Sequence, residues 1–369
     1  MIDRRLVEYF DWWMLALTAI LAGFGLVALY SAIHAGVDTS NANLFTKQIV
    51  WYSAGTVVMV VAFLFDFKTY ERWGHLYYIL CIAMLVAVLL FGKYVGGSRR
   101  WLAIGPFTVQ PSEMVKLAVI VVLAKYYARV SNINGVGFRE LVTPVVLTAI
   151  PFALIVKQPD LGTAMVVALI AGAITFYVKI ERRTFSCLVA GCALVIPVVW
   201  MFLLKGYQKQ RVLTFLNPDR DPLGAGYHVI QSKIAVGSGM LAGKGFLKGT
   251  QNALDFLPEQ HTDFIFSVLA EEWGLIGSLA VMLTFLMLIT WGLGIAQRSR
   301  DPFGKILAVG VTAMIAWQVF INIGMVMGVM PVVGVTLPFI SYGGSSIITM
   351  MAGVGLLLNV SMRRFMFEQ

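Results

Sequence analysis

The chain has 369 residues, 59% of them hydrophobic and only 13% charged, with a mean hydropathy of +0.81. A soluble domain carries about a quarter charged residues, so the composition excludes an ordinary water-soluble protein. The net charge of +9 does not point to nucleic acid, because the basic residues are scattered at the ends of apolar blocks rather than clustered.

Those blocks run for about 18 to 24 residues, the length a helix needs to cross a hydrocarbon core of roughly 30 Å. Bilayer interiors admit only helices or closed barrels, and the blocks lack the two-residue alternation of a barrel strand. The expectation is therefore an all-α polytopic membrane protein, a single domain over 1–369, with about ten transmembrane helices. The first span, 12–33, is too long for a signal-peptide core and has no small-residue cleavage site, so it is expected to be retained. Spans follow at 48–65 and 75–92, then a loop, 93–110, carrying Arg99 and Arg100.

Span four, 111–127, opens on Gln110-Pro111-Ser112-Glu113 with Lys116 just inside. Span five, 141–156, is short and holds Pro144 and Pro151. Span six, 161–178, is preceded by Lys157 and opens on Gln158-Pro159-Asp160-Leu161-Gly162-Thr163, and span seven covers 185–204. Span eight, 264–296, follows His261-Thr262-Asp263 and carries Glu271 and Glu272 two turns inside. Both acids are expected to face protein or water, since a lipid-facing carboxylate is costly. Spans nine and ten cover 306–329 and 341–360, the last opening on Ser341-Tyr342-Gly343-Gly344-Ser345-Ser346. Cys81, Cys187 and Cys192 sit inside apolar blocks without zinc-ligand or redox spacing, and read as small buried hydrophobes.

Orientation follows from lysine and arginine placement. Fifteen of the 28 basic residues, from Arg4 and Arg5 through Lys68, Arg129 and Arg183 to Arg363 and Arg364, fall in one set of short segments that includes both termini. Both termini are thus expected to be cytoplasmic. The large loop 205–262, between spans seven and eight, is then external, as are the N-termini of the even-numbered spans. Within that loop, 227–236 mixes Val229, Ile230, Ile234 and Ala235 with polar residues and reads as an interfacial amphipathic helix. The run 237–250 is glycine-rich and basic and reads as a loop near headgroups or an anionic ligand.

Four polar motifs therefore stand at external helix starts, and no cytoplasmic loop carries anything comparable. Taken singly, each has a plain explanation: Ser, Asp and Glu cap orphan N–H groups and suit the positive end of the helix dipole, and proline is ordinary at a first helical position. Glu113 and Lys116, three residues apart, either neutralise each other or leave Lys116, with Arg100, to meet an anionic group at membrane depth. Gly343 to Ser346 either offer backbone N–H groups to an anion or let helices pack closely. Four such motifs on one face favour chemistry there.

Several stretches resemble one family. Tyr207 to Ala235 (with Arg211), Gly243-Lys244-Gly245, Gly249-Thr250-Gln251 and Leu257-Pro258-Glu259-Gln260-His261-Thr262-Asp263-Phe264 are similar to the SEDS (shape, elongation, division and sporulation) family. Gln110–Glu113, Gln158–Thr163 and Pro338–Ser346 match it in the same order, so the likeness spans roughly 93 to 364. Asp221 to His228 and Gln231-Ser232-Lys233 resemble its elongation branch rather than its division branch. Glu271-Glu272-Trp273-Gly274 departs slightly, tryptophan standing where leucine is commoner.

The resemblance implies a peptidoglycan glycosyltransferase that polymerises lipid II outside the bacterial inner membrane during cell elongation and rod-shape maintenance. It implies as partners a class B penicillin-binding protein transpeptidase and other elongation-complex membrane proteins. It also implies that the essential carboxylate is Asp263. The reaction needs a base for the acceptor hydroxyl, a role Asp263 can fill, and positive charge for the departing diphosphate. Arg100, Lys116 and Arg211, with backbone donors near Gly343, Gly344 and Ser345, are candidates for the latter. Glu113 and Asp160 belong to the same substrate-binding set, Asp160 as a structural or orienting group, and Glu259, His261 and Thr262 would orient Asp263 or line the acceptor path. A divalent cation (Mg or Mn) could share the charge, but no ligand cluster specifies one, and no nucleic acid is implied. The competing readings are a lipid II flippase, for which intramembrane ionisable groups also speak, and a non-catalytic scaffold for the transpeptidase. A one-sided polar face favours the enzyme, because transporter sites lie near the midplane at the broken helices of paired repeats.

Overall fold

The computed structural model describes residues 10–35, 43–95, 98–105, 107–130, 135–203, 206, 209, 213–214, 225–254, 256 and 260–363. Among these, the helices are α1 (Trp12–His34), α2 (Asn43–Leu64), α3 (Phe67–Phe91), α4 (Pro111–Val130), α5 (Phe138–Lys157), α6 (Leu161–Tyr177) and α7 (Arg182–Val198), which ends in a π-helical turn. They continue with α8 (Ala225–Ser238), the single-turn α9 (Thr250–Ala253), α10 (Ile265–Arg298), α11 (Pro302–Val326) and α12 (Gly344–Arg363). Each of the ten apolar stretches falls on one helix. Seven helices (α1, α2, α3, α5, α10, α11 and α12) are long and apolar enough to cross a membrane. The chain is thus a multi-pass membrane protein. α6 and α7 have 17 residues each, and α4 carries Glu113, Lys116, Lys125 and Arg129. Both prolines of α5 sit inside a continuous helix, as membrane helices tolerate.

Helix starts follow local chemistry. Asp11, Asp66, Asp160 and Asp301 each cap a helix, accepting from the N–H of Met14, Lys68, Thr163 and Gly304 respectively. A carboxylate there satisfies an orphan donor and suits the dipole.

The all-helical expectation needs one correction. Within 93–110 the chain forms an antiparallel three-stranded sheet, β1 (Lys93–Val95), β2 (Ser98–Ile104) and β3 (Phe107–Val109), in the order β1-β2-β3. Its register pairs Tyr94 with Arg99 and Ala103 with Thr108. Hydropathy registers only that this stretch leaves the membrane. The turn dipeptides Gly96-Gly97 and Gly105-Pro106 were the available hairpin signal.

One hydrophobic core runs from Met14 to Val360. α4, α11 and α12 are its axis: α12 packs along α2 and α11, and α4 between α3 and α11. The outer helices turn apolar side chains such as Val57, Leu80, Val145, Leu194 and Met282 outward, the surface a lipid-facing bundle needs. Cys81 is buried as expected, but Cys187 is exposed, because it lies on the outward face of peripheral α7. The amphipathic reading of 227–236 gains a partner: α8 packs on α10 and α11, burying Val229, Ser232 and Ala235. Its Ser232 hydroxyl donates to the Val326 carbonyl at 2.8 Å and pairs with Ser267.

α10 is broken at Gly274, whose backbone (φ 64°, ψ −158°) is not helical. Only glycine adopts that region readily. The groups freed by the break are taken up by the turn that follows α8. The N–H groups of Lys244 and Gly245 donate to the carbonyls of Glu271 and Glu272, and those of Leu275 and Ile276 donate to Met240 and Leu241. The first nine residues of α10 thus form a half-helix held by this turn.

The opposite end of the bundle, where lysine and arginine were expected, carries acids paired with them. Arg363 pairs with Asp66 at 2.7 Å and Lys68 with Asp301 at 2.5 Å. Asp11 accepts from the Trp291 indole at 2.8 Å and from Ser361 at 3.1 Å. These ties join helix ends to one another. Their partners lie far apart in the chain, which a reading of single loops cannot reveal.

Candidate active site

Asp160 anchors the first part of the site. Its Oδ1 accepts from the Thr163 N–H at 3.2 Å, and its Oδ2 from the Thr163 hydroxyl at 3.0 Å and the Gln110 side-chain amide at 3.1 Å. The Gln110 N–H in turn donates to Ser345 Oγ at 2.9 Å. Three of the four polar motifs are thereby linked, α6 to α4 to α12. Arg100, on β2, reaches the same place: it donates to the carbonyls of Gln158 (3.3 Å) and Pro159, and one guanidinium nitrogen lies 3.9 Å from Asp160 Oδ1.

Lys116 is buried with Glu113, Nζ to Oε2 at 2.7 Å. Of the two readings of that pair, the structure realises the ion pair. Both candidate cations on described residues thus share their charge with an acid of the protein. The glycines at the start of α12 are similarly engaged. The Gly343 N–H donates to Gln48 Oε1 at 3.4 Å, and Gly344 packs so closely under Trp51 that a Cβ would lie 2.3 Å from the ring.

Asp263, half-buried at the entry to α10, joins the fourth motif to the others through residues 331–343, the connection from α11 to α12. Its Oδ2 faces Gly334, where a Cβ would sit 3.3 Å away. Gly334 has φ 71°, so the left-handed turn that needs glycine also leaves the carboxylate room. The Asn322 amide, from α11, donates to the carbonyls of both Asp263 (2.9 Å) and Val335 (2.7 Å). Ser341 Oγ donates to the Thr262 carbonyl at 2.6 Å, and the Tyr342 N–H to the His261 carbonyl at 2.9 Å. The same connection touches α6, where Gly162 lies against the Val333 carbonyl, and α12, where Ser346 pairs with Thr336 at 3.0 Å.

The approach to Asp263 is pinned from the other side. Asn252 and Gln260 donate to the carbonyls of Ser31 and Ala32 at the end of α1. Glu271 Oε1 accepts from Lys244 Nζ at 2.6 Å, from the Thr250 N–H at 2.9 Å and hydroxyl at 3.1 Å, and from the Gln251 N–H at 3.1 Å. Glu272 accepts from Ser31. Both acids are buried and face protein, as expected. Burial pushes the Tyr342 phenol above its ordinary 10.0, a hydrogen bond with Trp51 partly opposing the rise. It also holds the His228 imidazole, on α8, below 6.5.

Arg211 and Glu259 lie outside the described residues. Among those described, no group of three or more His, Cys, Asp or Glu could hold a metal ion, so no donor set specifies a divalent cation.

Residues 11–365 match the FtsW/RodA/SpoVE family of cell cycle proteins. The chain belongs to the FtsW/RodA/SpoVE family. It is 43% identical over 356 residues to the peptidoglycan glycosyltransferase MrdB of Escherichia coli (strain K12), covering 96% of this chain and 94% of that protein. Among solved structures, a chain of a peptidoglycan synthase complex that coordinates polymerization and crosslinking superposes with a TM-score of 0.81 at 30% identity, covering 96% and 98% of the two chains. The rod shape determining protein RodA of Thermus thermophilus superposes at 0.71 with 27% identity and the same coverage. The fold is RodA-like.

Within this family member, the sequence reading missed the residues that bring the motifs together. Gly334 and Thr336 sit in an apolar stretch between Pro331 and Pro338, where the two prolines and a glycine were the available signal. Asn322 and Gln48 lie inside apolar helices, and a lone amide there was the mark to follow.

Proposed function

We propose that this chain is a peptidoglycan glycosyltransferase of the elongation branch, polymerising lipid II with Asp263 as general base. The observation that carries the reading is the seating of Asp263 against the 331–343 connection, which also touches Gly162 and Ser346, while Gln110 ties the remaining motif to both through Asp160 and Ser345. Family membership and 43% identity to MrdB support the reaction. The whole chain acts as one ten-span domain in the bacterial inner membrane, with cytoplasmic termini and the 205–262 loop outside. Its partners are a class B penicillin-binding protein transpeptidase and other elongation-complex membrane proteins.

In this reading the acceptor 4-hydroxyl oxygen attacks the anomeric carbon of a lipid-linked sugar, the bond to the diphosphate breaks, and undecaprenyl diphosphate leaves with the electron pair. Asp263 takes the hydroxyl proton, a contribution of about 10² to 10⁴ in rate. A good leaving group needs no protonating acid, so one carboxylate suffices, unlike the pair of a hydrolase. Arg100 and Lys116 meet the diphosphate charge while Asp160 and Glu113 hold them in position when the site is empty. The flippase alternative is weaker: α10 is a broken helix, but its break is filled by the 239–245 turn and its acids are hydrogen-bonded inside the protein.

The test is purified protein, alone and with its transpeptidase partner, given labelled lipid II in detergent, with glycan chains resolved by gel. Loss of chains in Asp263→Ala, with thermal midpoint and partner binding retained, supports the assignment. Wild-type polymer from that variant overturns it, and lipid flipping in liposomes without polymer would favour the transporter.

A further inference from the structure

A cavity of about 490 Å³ lies between α2, the β2–β3 hairpin and the segments around His261 and Tyr342. Three aromatic rings line it, Trp51, Trp101 and Tyr342, drawn from three separate parts of the chain. They are held in place. Trp51 lies on the Gly344 backbone, Tyr342 bonds to Trp51 through its side chain, and the Tyr342 and His261 rings meet edge to face at 6.0 Å. Lys47 is the one lysine or arginine among the described lining residues, and no carboxylate accompanies it; Thr46, Thr108 and Thr262 add hydroxyls.

This lining suits a sugar better than a diphosphate. A pyranose presents a C–H face and a rim of hydroxyls, while an aromatic face is electron-rich and attracts C–H groups. Convergent hydroxyls supply orientation in such a cavity. A diphosphate asks instead for several cations or unengaged N–H groups, and here there is one lysine, with the Gly343 N–H already given to Gln48. His261 and Thr262, which line the cavity, immediately precede Asp263 in the chain.

We propose that this cavity is a saccharide subsite that holds an amino-sugar unit of the growing glycan next to Asp263, with Trp101 and Trp51 as stacking platforms and Lys47 as a donor at the rim. The proposal rests on the polymerase reading and adds α2, with Trp101 and Thr108 of the β-hairpin, to the substrate-binding machinery.

The experiment is isothermal titration of the full-length protein in detergent with lipid-free glycan oligomers of about four disaccharide units, repeated with inorganic pyrophosphate. The wild type should bind the oligomers. Trp101→Ala should weaken binding about tenfold, the worth of one good aromatic contact, and Trp101→Phe should recover most of it. Pyrophosphate should not displace the oligomer. If Trp101→Ala does not fold, Lys47→Ala and Thr108→Val replace it, each expected to weaken binding severalfold. In the lipid II assay, weakened variants should shift products to shorter chains. Unchanged affinity in the variants, or displacement by pyrophosphate, overturns the subsite. A wild type that binds oligomers but makes no glycan overturns the polymerase reading instead, and full-length polymer with unaltered binding in the variants removes the subsite alone.

Discussion

Lys244 Nζ lies 2.6 Å from Glu271 Oε1, tying the turn after α8 to the half-helix that follows Asp263. Glu271 is fully buried while Lys244 is 28% exposed, so the two partners are not equivalent. Removing the acid takes the acceptor from two backbone N–H groups and a hydroxyl and leaves Lys244 only Thr250, whereas removing the lysine leaves the acid three other donors. Glu271→Ala should cost about 3–5 kcal/mol. Lys244→Ala should cost about 1–2 kcal/mol, reduced by its exposure. Thermal unfolding in detergent checks the order; equal losses would contradict it.

Gly274→Ala should prevent assembly of the same region. The backbone there belongs to a region worth about 1–3 kcal/mol of strain for other residues, and a Cβ would fall 2.4 Å from the Gly243 nitrogen. The expected outcome is little folded protein by size-exclusion chromatography, whereas Gly23→Ala, where nothing lies within 4 Å, should behave as wild type.

Asp160 distinguishes capping from charge. Asp160→Asn keeps an acceptor for Thr163 but loses the ionic tie to Arg100, and should cost little stability. Asp160→Ala loses both, together with the Gln110 contact, at about 0.5–2 kcal/mol for the cap alone. If Asp160 orients substrate through Arg100, both variants should raise KM for lipid II more than they lower kcat. An equal fall in kcat from both would assign it a direct chemical role.

His228 gives the fold a pH dependence of definite sign. Burial lowers its folded pKa below 6.5, so the unfolded chain binds the proton more readily. Its contribution is fully present above the unfolded value, and falls as pH drops below about 6.5 toward the folded value. The thermal midpoint of His228→Gln should therefore depend less on pH between about 5 and 7 than that of the wild type. Parallel curves would exclude the residue.

Membrane character and the ten apolar helix-forming stretches were legible in hydropathy because a bilayer demands long uninterrupted apolar runs, whereas the single-turn α9 was not. The polar helix starts were legible because their residues are out of place in such runs. What the sequence hid is the pairing. Nothing local says that Gln110 spans from Asp160 to Ser345, or that Asn322 holds Asp263 and Val335 together, since these contacts join residues 13 to 235 positions apart. The β-hairpins escaped because three- and seven-residue strands leave little periodicity to detect. The neutralisation of Lys116 stayed undecided because helical spacing permits an ion pair without requiring it.

The 331–343 connection receives contacts from α2, α6, the entry to α10, α11 and α12. A chain emerging from N-terminus to C-terminus completes it last. A nascent or truncated protein that stops before α12 therefore has Asn322 and Gly334 but lacks Ser346, which holds the far end of the segment beside Asp263. The segment beside Asp263 is thus anchored at both ends only once the last helix has joined the bundle.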